Sequence, residues 1–203
     1  GNVCIDVLNG ALTLTEGVNA DLGDPVSSIV ALRASGNINL NNGANTSLVA
    51  GDKVSIESLN GSITGAVAGG PADIITNNAN GQIVIKTATG IGTSAAPLEI
   101  STDRFAAQTT GAALGVFVTD PNGLSIEQLT LEKGGGNVTG IQTAGDVCVE
   151  TVAGDITVQR VVSGDDVYLS AGGNVINSIN GATAPGENIV ATGAVGTVVL
   201  EAG

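Results

Sequence analysis

The sequence contains no histidine, methionine or tryptophan, and its aromatic residues are one tyrosine and two phenylalanines. Without histidine it lacks the usual general base near neutral pH and the commonest metal ligand. Without aromatics it lacks the large rings that fill a thick globular core. Charged residues make up only 12% of the chain, against about 25% in an ordinary soluble domain. Six are basic (Arg33, Lys53, Lys86, Arg104, Lys133 and Arg160), and they are scattered through a chain of net charge −13. A phosphate backbone requires a basic stripe, so nucleic acid is excluded as a partner. Anionic lipid is excluded on the same ground. No apolar run approaches the ~18 residues of a membrane span, and the start carries no signal-peptide pattern.

What the sequence does contain is glycine, 31 of 203 residues, and a hydrophobic fraction of 42% drawn mainly from Val, Ile, Leu and Ala. Such a chain is not disordered. It suits a thin core of stacked branched side chains. One pattern recurs: Gly, a polar residue, then alternating apolar positions. Examples are Gly1-Asn2-Val3-Cys4-Ile5, Gly36-Asn37-Ile38-Asn39-Leu40 and Gly81-Gln82-Ile83-Val84-Ile85. Later ones are Gly145-Asp146-Val147-Cys148-Val149 and Gly154-Asp155-Ile156-Thr157-Val158. Alternation of branched residues after a turn residue predicts strands, and helical spacing is not sustained.

Asn-Gly begins at Asn9, Asn42, Asn60, Asn80, Asn122 and Asn180. Most gaps lie near multiples of about 20 residues, one turn of a solenoid. The first gap is longer and predicts an inserted loop near 17–27. Asn-Gly is also a hairpin signal, but the glycine almost always precedes its alternating stretch. A hairpin meander has turns at both ends of every strand and shows no such polarity. A parallel solenoid crosses each sheet in one direction. The expected fold is therefore all-β: a parallel β-helix of about nine coils and a rod ~40 Å long. Residues 1–203 read as a single segment. Both ends fall inside strand-like motifs, so the segment is expected to be part of a longer repeat protein.

The most specific stretch is 90–127. It reads Gly90-Ile91-Gly92-Thr93, Pro97-Leu98-Glu99-Ile100, Arg104-Phe105-Ala106-Ala107-Gln108-Thr109, Gly115-Val116-Phe117-Val118-Thr119 and Gly123-Leu124-Ser125-Ile126. This resembles the repeat region of giant filamentous-haemagglutinin-like bacterial exoproteins, which are secreted adhesins. The resemblance implies a right-handed β-helix shaft exported through the outer membrane by a partner pore, and so an extracellular or cell-surface location.

β-Helix enzymes that cleave polysaccharides need converging carboxylates. The adjacent pair Asp165-Asp166 is expected not to converge, because neighbours on a strand face opposite ways. Gly69-Gly70-Pro71-Ala72-Asp73 is a poor match to calcium-binding repeats and reads as a loop entering a strand. No cofactor is expected beyond adventitious Ca²⁺. Thr13-Leu14-Thr15 is a lone Thr-x-Thr. The Asn-x-Ser/Thr sequons at Asn45, Asn60 and Asn137 arise readily in a chain rich in Asn and Thr.

Cys4 and Cys148 occupy the same place in the motif. Alternation turns Val3, Ile5, Val147 and Val149 inward and both cysteines outward, several coils apart. An intrachain bridge is out of reach, whereas interchain disulfides between shafts are chemically open. Val84, Tyr168 and Val199 are expected to add apolar lateral contact on the same outer side. The function these readings predict is a non-catalytic shaft segment of a secreted adhesin or fibre-forming exoprotein. Its partners would be neighbouring solenoid segments, copies of itself or a surface receptor. The alternatives are a subunit of an extracellular filament or sheath assembled by end-to-end stacking of β-solenoids and, third, a β-helix polysaccharide lyase or hydrolase.

Overall fold

A computed structural model describes residues 1–20, 28–40, 48–50, 52–66, 71–111, 114–178 and 188–203. Among these the chain is all-β, with no helix and with nearly all strand pairing parallel. An 11-stranded and an 8-stranded sheet face each other, joined by a small sheet of Leu12–Thr13, Ile38–Asn39 and Ile63–Thr64. Each strand pairs with one a full excursion later in sequence, not with its neighbour. Asn2–Val7, Ile29–Ala34, Lys53–Ser58, Gln82–Thr87 and Arg104–Thr109 stack in unbroken register in the 11-stranded sheet.

The register runs through the whole molecule. Ile5, Leu32, Ile56, Ile85, Ala107, Ile141, Val161 and Ile189 form one continuous inward row. Leu12, Ile38, Ile63, Ile91, Val116, Val147, Val167 and Val198 form another across the interior. Both rows therefore count eight levels. Spacing predicted about nine coils, but excursions vary: Ala107 to Ile141 takes 34 residues and Ile141 to Val161 only 20. The middle six members of both rows are buried. Each such Ile or Leu contributes roughly 1.5–3 kcal/mol by leaving water. Branched residues serve here because one inward position per level leaves space only for a thin, uniform column.

Corners between levels are tight. Gly115 (φ +79°) and Gly140 (φ +63°) lie in the left-handed region, and a Cβ there would meet the backbone oxygens of Asp146 and Arg160. Both positions thus require glycine. Of the loop expected near 17–27, Val18–Asn19 is a strand and 21–27 lie outside the described residues.

One element breaks the parallel rule. Gln128–Thr130 and Asn137–Thr139 form an antiparallel hairpin, pairing Leu129 with Val138. Its turn passes through Gly134, Gly135 and Gly136, all at positive φ. The hairpin lies on the outer surface of the 11-stranded sheet. There Leu129, Leu131 and Val138 form a second, smaller core with Val84 and Ala106.

Candidate interaction surfaces

The outer surface of the 11-stranded sheet is a ladder of alternating charge. Register stacks Asp6, Arg33, Glu57 and Lys86 one above another. Arg33 contacts Glu57 at 2.9 Å and Asp6 at 3.9 Å, and Lys86 reaches Glu57 at 3.9 Å. Glu57 is buried at the centre of this ladder. The hairpin adds two more pairs: Lys53 with Glu132 at 2.7 Å, and Arg104 with Glu127. The Glu132 N–H also donates to Ser55 Oγ at 2.9 Å. Four of the six basic residues are thus consumed in holding this face and its hairpin.

The hairpin corrects one expectation. Val84 does point outward, but it is fully buried beneath Leu129, Leu131 and Val138. It offers no lateral contact to another molecule. Alternation alone gives the direction of a side chain and not what lies on top of it.

The cysteines are also placed differently from expectation. Cys4 lies in the 11-stranded sheet, in an outward row with Ala31, Ser55, Val84 and Ala106. Cys148 lies in the 8-stranded sheet, in an outward row with Phe117, Tyr168 and Val199. The motif recurs on both sheets, so a shared motif does not mean a shared face. Both thiols are free; Cys4 is exposed and Cys148 half-buried. Burial pushes the Cys148 thiol up to about 11, with Glu150 and Asp146 adding to the shift. Cys4 borders a groove of ≈160 Å³ between its strand and the hairpin tip at Glu132 and Lys133.

Tyr168 and Val199 stand in register on the outer surface of the 8-stranded sheet. The Tyr168 hydroxyl donates to Glu201 Oε2 at 2.6 Å. That bond raises the phenol above its ordinary value.

Asp165 and Asp166 do converge, contrary to expectation. They occupy the turn before Val167–Ala171, so strand alternation does not apply to them. With Asp146 they bring carboxylate oxygens within 4.8 Å of one another. Asp166 Oδ1 accepts the Thr197 N–H at 2.7 Å, and Asp146 Oδ1 accepts the Asp166 N–H at 3.3 Å. The three carboxylates come from the bends of two adjacent levels, and acidic oxygens are the donor type that hard cations prefer.

Two further carboxylates sit in the interior. Asp73 accepts the N–H groups of Ala66 and Glu99, and burial raises its pKa. It fixes a corner, as the loop reading of its stretch expects; Gly69 and Gly70 lie outside the described residues. Asp120 is fully buried and accepts N–H from Thr102 at 3.0 Å and Asn122 at 2.8 Å. Burial raises it to about 6 against the lowering effect of those two donors. The sequence reading did not single out Asp120. Its only signal was a charged residue at an inward position of Val116–Asp120, followed by Pro-Asn-Gly. Compared with family models, curated proteins and solved structures, the chain matches none.

Proposed function

We propose that this chain is a right-handed parallel β-helix of eight coils whose role is mechanical. In this reading it is a shaft segment of a secreted bacterial adhesin or fibre-forming exoprotein, and no side chain is catalytic. The carrying observation is the unbroken register of the inward rows, which run from Ile5 to Ile189 and from Leu12 to Val198. A rod built this way transmits load along backbone hydrogen bonds between levels, and it needs no pocket. Right-handedness follows from the general rule for parallel crossovers. The 90–127 resemblance supports the adhesin assignment and an extracellular location.

A second reading rests on a different observation. Val198 and Leu200 face inward yet are 43% and 50% exposed, whereas Val167 and Leu169, one level away, are buried. In this reading the inward side chains of Val198–Ala202 pack against another copy stacked end to end, as in an extracellular filament or sheath.

Protease treatment of intact source cells, followed by immunoblotting with an antibody to this chain, tests the location. Loss of the signal without lysis is expected. A signal protected until the cells are broken would sink the surface-shaft reading. Electron microscopy of the released material then separates isolated rods from continuous fibres.

A further inference from the structure

The outer surface of the 8-stranded sheet is electrically one-sided. Among the described residues its strands carry Glu99, Glu150 and Glu201 on the outside and no Lys or Arg. Along its centre Phe117, Cys148, Tyr168 and Val199 stand one per level. One flank of this row is the Asp146, Asp165 and Asp166 cluster. The other is Glu150 and Glu201, with Thr119 and Ser170 in the same row. Beyond it Val152 is 80% exposed beside a groove of ≈160 Å³ that Glu99, Thr119 and Pro121 also line. An apolar and aromatic stripe thus runs along the rod between two acidic margins.

We propose that this face binds a basic amphipathic helix of a partner protein. The helix would lie along the rod with its apolar stripe on the Phe117–Val199 row and Lys or Arg on both flanks. The spacing fits: apolar positions on one helical face recur about every 5 Å along the axis, and levels here are about 4.8 Å apart. Four levels accommodate a helix of about ten residues. Charge complementarity is specific to this side, because four of the chain's own cations are already ion-paired on the opposite sheet. A second copy of the chain therefore supplies no matching basic face, and its described residues contain no helix. A divalent cation or a polyamine would engage the carboxylates and leave the apolar row unused. The inference goes beyond the shaft role and does not depend on it.

Tyr168 is the only tyrosine and there is no tryptophan, so its emission reports on this face alone. The probe is a fluorescently labelled Leu/Lys peptide about four helical turns long with its leucines on one face. A scrambled peptide of the same composition and spermidine serve as comparisons. Saturable anisotropy together with a change in Tyr168 emission is expected. Affinity is expected to fall about ten-fold with the scrambled peptide and with Glu150→Lys/Glu201→Lys, but less than two-fold with Gln82→Lys on the opposite sheet. Val199→Thr, a milder change, tests the apolar row should the double variant lose its circular dichroism spectrum. Equal binding of the scrambled peptide, equal weakening by Gln82→Lys, or unchanged Tyr168 emission at saturation would each overturn the proposal.

Discussion

Lys53 and Glu132 are 79 positions apart in sequence and 2.7 Å apart in space. Their ion pair fastens the hairpin to the sheet it covers, and the two partners differ in exposure. The Lys53 side chain is 10% exposed and that of Glu132 37%. Removing Glu132 strands a nearly buried cation, whereas removing Lys53 leaves a carboxylate that water reaches. Glu132→Ala is therefore expected to cost about 1–3 kcal/mol and Lys53→Met less than about 1 kcal/mol. Urea midpoints of the two variants check this. Equal losses would show that the asymmetry in burial does not govern the pair.

The cysteines make a second contrast. At pH 8 a thiol held at about 11 is only ~0.1% thiolate, so Cys148 is expected to react slowly. Exposed Cys4 accounts for the fast phase with a thiol-reactive dye. Any reducible dimer on electrophoresis then forms through Cys4: Cys4→Ser is expected to abolish it and Cys148→Ser to leave it. A dimer that survives in Cys4→Ser and disappears in Cys148→Ser would reverse this assignment.

Much of the architecture is legible in the alternation itself. Gly-polar-apolar motifs mark many of the strands, and the one-sided position of their glycines marks the parallel direction, as the pairing of Ile156–Val158, after Gly154-Asp155, with Val175–Asn177, after Gly173-Asn174, illustrates. Four features were not legible. The hairpin has only two short apolar stretches around Gly134-Gly135-Gly136, a local signal that says nothing of the surface it will cover. Val84 is buried because of that distant segment. Asp165 and Asp166 converge because the strand begins after them, and boundaries of that kind are the weakest part of a pattern reading. The outer face that holds Tyr168 becomes visible only once the register sets residues 117, 148, 168 and 199 side by side.

Asp120 gives the fold a pH dependence of defined sign. Its pKa in the folded chain, about 6, lies above the ~3.9 of an unfolded aspartate. The native state therefore holds the proton more tightly, and stability falls as pH rises from about 4 to about 6. The loss is complete above that window and amounts to about 3 kcal/mol. Asp120→Asn cannot ionise, although its single amide oxygen serves only one of the two N–H donors. The variant is thus expected to be less stable than the parent at pH 4 and to gain on it by about 3 kcal/mol by pH 7.5. Paired denaturation curves at the two pH values provide the measurement. A stability difference that does not change with pH would refute it.

Thr87 occupies an inward row of hydroxyls with Ser58, Thr109, Thr143 and Ser163. Most members are satisfied. Ser58 Oγ donates to the Gly36 carbonyl at 2.8 Å, Thr109 Oγ1 bonds to Thr143 Oγ1 at 2.7 Å, and Ser163 Oγ donates to the Gly145 carbonyl at 2.6 Å. Thr87 Oγ1 is buried without a hydrogen-bond partner. A buried hydroxyl with no partner costs its full desolvation, about 1–3 kcal/mol, and valine has nearly the same shape. Thr87→Val is accordingly expected to stabilise the chain by about 1 kcal/mol. Thr109→Val, which removes the Thr109–Thr143 hydrogen bond while Thr143 Oγ1 keeps the Gly145 N–H at 3.1 Å, is expected to destabilise it by about 1 kcal/mol. The opposite signs matter more than the sizes, since both substitutions make the same chemical change in the same row. If thermal denaturation moved both variants in one direction, row packing and not hydrogen-bond satisfaction would set the stability of this interior column.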